Sequence, residues 1–356
     1  MMMASVVHVT TPLGLRPRRR SCGGRSSGGR GSRLVRLGVV LAVLTAVQSL
    51  TGAPSAVAAP AFHIAGEVTG LGHQFDHIAV NSRTHKAYVN EPINSSIAVI
   101  DGPSRTIAAR IPRSVGTVPT AVAVDPGTNT VFATTRDGKL LVIDGTDNTV
   151  NATVTVGASP SDIDVDLATH LVYVASIGSA SIWVFDPLSG SVTDIPVGGL
   201  PIAVAVNSST HRVYVADNET EGVVVIDTTT DMVTARIPTG TTGWDVAVDA
   251  ETNAIYVATV GDSVLVIDGV DEIVVASIPL EMAYAVAVDP GTNYLYAASL
   301  GGQVLVVDGS DGTHAVTTLA SVTVAQATNL AVDVSTHEVY VAAKDDRKVQ
   351  IISQSH

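Results

Sequence analysis

From about residue 60 onward, short apolar runs rich in Val, Ile, Ala and Thr alternate with clusters of Gly, Pro, Asp and Asn. The stretch 120–160 shows the unit. A Val/Ala run ends in Asp125-Pro126-Gly127, and a run through Phe132 ends in Arg136-Asp137-Gly138. A Leu-Leu-Val-Ile run then ends in Asp144-Gly145, and a last run closes on Gly157 and Pro160. Strand-length runs bounded by turn residues predict four β-strands with three turns between them. The unit returns in register. Its first strand ends at Asn81, Asp125, Asp166, Asn207, Asp249, Asp289 and Asp333. Three residues after each comes a Thr followed by Asn or His, as in Thr84-His85 and Thr128-Asn129. Four residues after that Thr comes an aromatic: Tyr88, Phe132, Tyr173, Tyr214, Tyr256, Tyr296 or Tyr340.

Seven units of four strands predict an all-β fold, a seven-bladed β-propeller. Each blade is too thin to bury its own faces, so the core must come from stacking around the ring. The expected blades are about 77–119, 120–160, 161–201, 202–243, 244–283, 284–327, and 328–353 joined by 62–69. In the last, Ile64 to Val68 matches the outermost strand of the fourth unit. The N-terminal strand is therefore expected to complete the seventh blade and remove an open sheet edge.

Tyr-Val pairs after Val-Asp and Thr-Asn (Tyr88-Val89, Tyr173-Val174, Tyr214-Val215, Tyr256-Val257, Tyr340-Val341) resemble the YVTN-type 40-residue β-propeller repeat family, which includes YncE-like exported propellers. The resemblance covers Phe62 to Ser353 and departs from the family in the letters after Tyr-Val. It implies a seven-bladed, exported propeller. It implies no single activity and carries over no catalytic residue, because the motif is a blade signature.

The first 58 residues are a different material. Eight arginines and no acid precede the uncharged run Leu37 to Leu50, and Ala56-Val57-Ala58 forms a small-x-small cleavage site. This is the plan of a signal peptide, with residues 59–356 as the mature domain. Secretion, to the cell envelope or beyond, is expected, with no transmembrane segment after cleavage. The alternative is an uncleaved anchor, for which the apolar run is short. Beyond the leader, 12 basic residues stand against 33 acidic ones. Such a surface disfavours nucleic-acid binding. The only cysteine, Cys22, lies in the leader, so the mature chain has no disulfide and no thiolate nucleophile.

A scaffold repeats and a site is singular. The first-to-second and third-to-fourth turns share one face of a propeller and are uniform here. Their Asp and His residues are expected to serve turn chemistry rather than repeated metal sites. The second-to-third loops and blade connections share the other face and vary. Binding is expected there, at the channel mouth where the innermost strands begin. The candidate ligand-binding residues are His73, Asp76, His77, Asp162, Asp164, Trp244, Asp245, Tyr284 and Asn329. Asp164 interrupts a ring of alanines at the equivalent position of the other blades. The alternatives are that polar residues at the mouth hold water and that an Asp at a strand start, such as Asp162 or Asp245, bonds a neighbouring blade's backbone. The partner is expected to be an unidentified protein or a small polar ligand. The cofactor is unknown; a divalent cation is one possibility. Three functions compete: a non-enzymatic binding scaffold, which is preferred; a metal-dependent, lactonase-like hydrolase or lyase using His77, Asp162 and Asp245; and single-strand DNA binding.

Overall fold

The computed structural model describes residues 60–112, 118–309 and 317–355. The leader, its apolar run and its cleavage site lie outside the described residues. Among the described residues no helix is long and apolar enough to cross a membrane.

Residues 61–355 form seven four-stranded antiparallel sheets. In the fourth blade the strands are Pro201–Asn207, Arg212–Asp217, Gly222–Asp227 and Met232–Pro238, from innermost to outermost. The seventh blade takes three strands from the C-terminal end, and Ala61–Val68 pairs antiparallel with Lys348–Ser355 as its fourth. Ile64 faces Ile352 and Val68 faces Val349, as the repeat alignment requires. Packing fixes this strand further. The Phe62 ring stands edge-on to Tyr294 and Tyr296 of the sixth blade, at 5.8 and 6.4 Å. Arg105 of the first blade donates to the Ala65 carbonyl from the other side.

Seven apolar clusters sit between successive blades, the last joining Tyr340, Val349 and Ile351 to Ile78, Ala87 and Val89. Period-2 alternation puts one face of each middle strand against each neighbour, so those strands are buried on both sides. The repeat aromatics are the largest fully buried side chains, Tyr88, Phe132, Tyr173, Tyr214, Tyr256, Tyr296 and Tyr340 among them. Space for their hydroxyls comes from the next blade. A Cβ added at Gly102 would lie 2.4 Å from the Tyr340 hydroxyl, and one at Gly309 would lie 2.5 Å from that of Tyr256. The blade after Phe132, which has no hydroxyl, carries Pro187 at this position.

The repeated Asp/Asn and His/Asn do more than the expected turn chemistry. One oxygen of the strand-ending residue accepts backbone N–H groups two or three residues on, as Asp125 Oδ1 does from Gly127 at 2.8 Å. The turn ends on a residue with left-handed backbone: His85, Asn129, His170, His211, Asn253, Asn293 and His337 all have φ between 55 and 65°. Asn and His tolerate that region better than most residues. From there the side chain reaches back to the preceding blade. His170 Nδ1 meets Asp125 Oδ2 at 2.7 Å, His337 meets Asp289 at 2.7 Å, and His85 meets Asp333 at 2.9 Å across the closing seam. Where the first partner is Asn the second is also Asn: Asn81 donates to Asn129 and Asn207 to Asn253, both at 2.8 Å.

These bridges make a prediction. Asp125→Ala removes both the turn acceptor and the bridge from a buried position, at a cost of about 2–3 kcal/mol. Asp227→Ala removes an exposed third-to-fourth turn acceptor and leaves the midpoint near wild type. Urea unfolding of the two variants checks the contrast.

Candidate ligand-binding site at the channel mouth

The innermost strands of blades two to seven begin one residue earlier than the repeat predicts, at Pro119, Pro160, Pro201, Gly243, Ala283 and Ala327. Each then breaks register: Pro160 pairs with Ser176, but Asp162, not Ser161, pairs with Ala175. The same shift separates Gly243 from Asp245, Ala283 from Ala285 and Ala327 from Asn329. A β-bulge leaves one residue unpaired and re-aims its side chain. Consecutive residues can then face one space. Ser161 with Asp162, Trp244 with Asp245, Tyr284 with Ala285, and Thr328 with Asn329 line the same cavity.

That cavity has a volume of 200 Å³. Ile177, from the second-to-third loop of blade three, lines it, so it opens on the irregular face. Asp76 and His77 come from blade one, whose innermost strand starts later, at Ile78. There the Asn90 side chain replaces the ladder: its Oδ1 accepts the Asp76 and His77 N–H groups, and its Nδ2 donates to Asp76 Oδ1 at 2.8 Å. Below the mouth the channel proper encloses 330 Å³, and Asp164 lines it together with His77, Asp162, Asp245 and Asn329. Of the nine predicted site residues, seven therefore line the mouth. Asp164 sits deeper, and His73 is exposed and lines neither space.

The polar residues are also structural. Asp162 Oδ2 accepts the Val204 N–H, Asp164 Oδ2 that of Val206 and Asp245 Oδ2 that of Val286, at 2.8–2.9 Å. Asn329 Oδ1 accepts the Ile78 N–H at 3.2 Å. Each bond joins one blade's innermost strand to the next, which is the alternative reading given to Asp162 and Asp245; Asn329 does the same. A carboxylate has about four acceptor positions, so these bonds orient the groups and leave capacity toward the channel. His77 Nδ1 stands 3.8 Å from Asp162 Oδ1, reaching past blade two, which has only Ala121 at that position.

Burial dominates the electrostatics. It pushes Asp162 up to about 7, opposed by His77 and reinforced by Asp245. It pushes Asp245 up to about 7 and Asp164 up to about 6, against the backbone N–H groups that favour their ionised forms. Tyr284 is raised by burial and by Asp76 and Asp245. Its ring lies 5.6 Å from that of Trp244, tilted by 35°. Among the described residues no three His, Cys, Asp or Glu side chains converge as metal ligands would.

A larger space, 460 Å³, lies on the opposite face beside His85, Asp333 and His337. It sits at the seam where the seventh blade lacks a third-to-fourth turn. Its histidines already bridge blades, and its departure from the repeat, at Ser353 and Gln354, is that missing turn rather than a set of unlike side chains from several blades. Of the glycosylation tripeptides at Asn94, Asn151, Asn207 and Asn218, Asn207 is fully buried in an inter-blade bridge, and Asn218 donates to the Gly243 carbonyl. Asn94 and Asn151 are exposed.

The fold has relatives among solved structures. It is similar to a chain of hydrazine synthase from Kuenenia stuttgartiensis, with a TM-score of 0.70 at 18% identity, covering 80% of this chain and 96% of that one. At that identity the likeness is one of fold alone. No protein-family model matches the chain, and none of the curated proteins does.

The raised carboxyls set a pH dependence. Asp162, Asp164 and Asp245 have folded pKa values above the unfolded value near 3.9, so the folded state holds more protons between about pH 4 and 7. Their contribution to stability is therefore present at low pH and lost as pH rises through 6 to 7. Asp164→Asn keeps an acceptor for Val206 and removes the charge. It is expected to gain on the order of 1 kcal/mol at pH 8, after discounting for channel water, and nothing at pH 4.5. Urea midpoints across pH 4.5–8 check this.

Proposed function

We propose that the protein is an exported, non-enzymatic binding propeller whose ligand site is the channel mouth on the irregular-loop face. The observation that carries this is the set of bulges that turn unlike side chains from blades three to seven into one cavity with Asp76 and His77 of blade one. The rest of the ring repeats, and it departs from repetition where a pocket forms. A concave space with a few convergent polar groups and an aromatic wall is the usual form of a small-molecule site. The fold supports a binding role at most, and the resemblance to the YVTN-type, YncE-like propellers is consistent with export. Single-strand DNA is disfavoured, because the mouth lining has three carboxylates and no Lys or Arg.

The second reading is a hydrolase or lyase at the same mouth. It is favoured by Asp162, standing near 7 with His77 at 3.8 Å, and by Asp245, also near 7 on the same wall, a range suited to proton transfer at neutral pH. The absence of a convergent metal-ligand set among the described residues gives its metal-dependent form little support.

The test is thermal unfolding of the mature protein against a panel of small polar compounds, with lactones included. A ligand that binds only the folded state raises the midpoint with its concentration. A rise in wild type that Trp244→Ala and Asp162→Asn both abolish is expected, with no product formed. Turnover of a panel member that needs Asp162 would install the enzymatic reading instead. Binding that survives both substitutions would move the site away from the mouth.

A further inference from the structure

We propose that the mouth takes a small organic cation, an ammonium head carrying an apolar or aromatic arm. This deepens the binding reading above and rests on it.

Two independent features of the lining converge on that class. The first is charge without a counterpart. Asp76, Asp162 and Asp245 line the cavity with His77 as its only basic side chain. Asp245 is held by the Val246 and Val286 N–H groups, and no cation among the described residues offsets it. Its burial is compensated either by a proton or by a positive ligand. The second is the pair of aromatic faces. Trp244 and Tyr284 are the unpaired bulge residues of blades five and six, where other blades have Ser161, Ile202 and Thr328. Trp244 remains 36% exposed at the cavity wall. A ring face attracts a cation, and Trp does so most strongly. Carboxylates next to aromatic faces select an organic cation over a neutral or anionic molecule of the same shape. A hard divalent ion needs six to eight convergent oxygens or a near-ideal octahedron, and these carboxylates do not converge.

The titration of the carboxyls gives the proposal a second signature. As pH falls through 7, Asp162 and Asp245 take up protons. His77, Asp76 and Asp164 face the same space. The mouth loses negative charge, and with it affinity for a cation.

The chain has two tryptophans, so a Trp183→Phe background leaves Trp244 as the single indole reporter. Benzyltrimethylammonium, benzyl alcohol and benzoate are titrated into that protein at pH 8 and pH 5.5, followed by fluorescence and by calorimetry. Saturable binding of the ammonium probe at pH 8 is expected, about tenfold tighter than the alcohol, with benzoate weaker still. Asp245→Asn, which keeps an acceptor for Val286, is expected to lower that affinity about tenfold, and pH 5.5 to do the same in the unsubstituted site. Equal or tighter binding of the alcohol or of benzoate overturns the cation class and leaves the mouth as a binding site. Ammonium binding indifferent to both Asp245→Asn and pH also overturns it. If no probe perturbs Trp244 or gives heat, and the thermal panel likewise finds nothing, both readings fall together.

Discussion

Side-chain hydrogen bonds from blade to blade are the interaction on which the rest depends. Strand ladders hold each sheet together, but they end at the sheet. Between sheets there is apolar contact, which is strong and carries little orientation. Direction comes from two belts of polar bridges at opposite ends of the channel. On the uniform face, Asp–His and Asn–Asn pairs tie five of the turns to their neighbours. On the irregular face, Asp162, Asp164, Asp245 and Asn329 accept backbone N–H groups from the next innermost strand. A buried acceptor with a fixed partner resists sliding in a way that a methyl group does not. The apolar clusters supply stability, and the belts set how one blade sits on the next.

The two belts differ in chemistry. The uniform one pairs Asp with an imidazole at three seams and Asn with an amide at two. The irregular one sets carboxylates against backbone amides alone. Among the described residues that line the mouth, the basic side chain beside them is His77, 3.8 Å from Asp162. Burial therefore raises these carboxyls toward neutrality. The same groups that fasten the blades also leave the mouth electrostatically incomplete, and the proposed binding role rests on that incompleteness.

Much of this was legible in the residues. Strand number, blade number and the closure by Ile64–Val68 follow from a repeat whose period and turn residues are local signals. The buried aromatics follow from the same register. The inter-blade bridges were not legible: an Asp at a turn explains itself by the turn, and the second oxygen's partner lies some 45 residues away. The pairing of Asp with His and of Asn with Asn between successive units was the signal that could have revealed them. The mouth was legible as a set of departures from the repeat, and seven of its nine residues converge. His73 falls outside because it lies before the Asn90 bonds that hold Asp76 and His77 at the mouth. Asp164 lies deeper because two residues along a strand carry it further down the channel. The bulges were invisible, since a bulge adds a residue without changing the apolar pattern around it.

Pairing Ala61–Val68 with Lys348–Ser355 puts the first and last strands of the domain in one sheet. A ribosome completes the former almost 300 residues before its partner exists. Until Lys348–Ser355 has been made, blade seven cannot assemble and the opening strand has an unpaired edge. The ring is thus a property of the whole domain only. A chain stopped anywhere short of the last strand is an open arc with two raw flanks, whatever the quality of the blades already made.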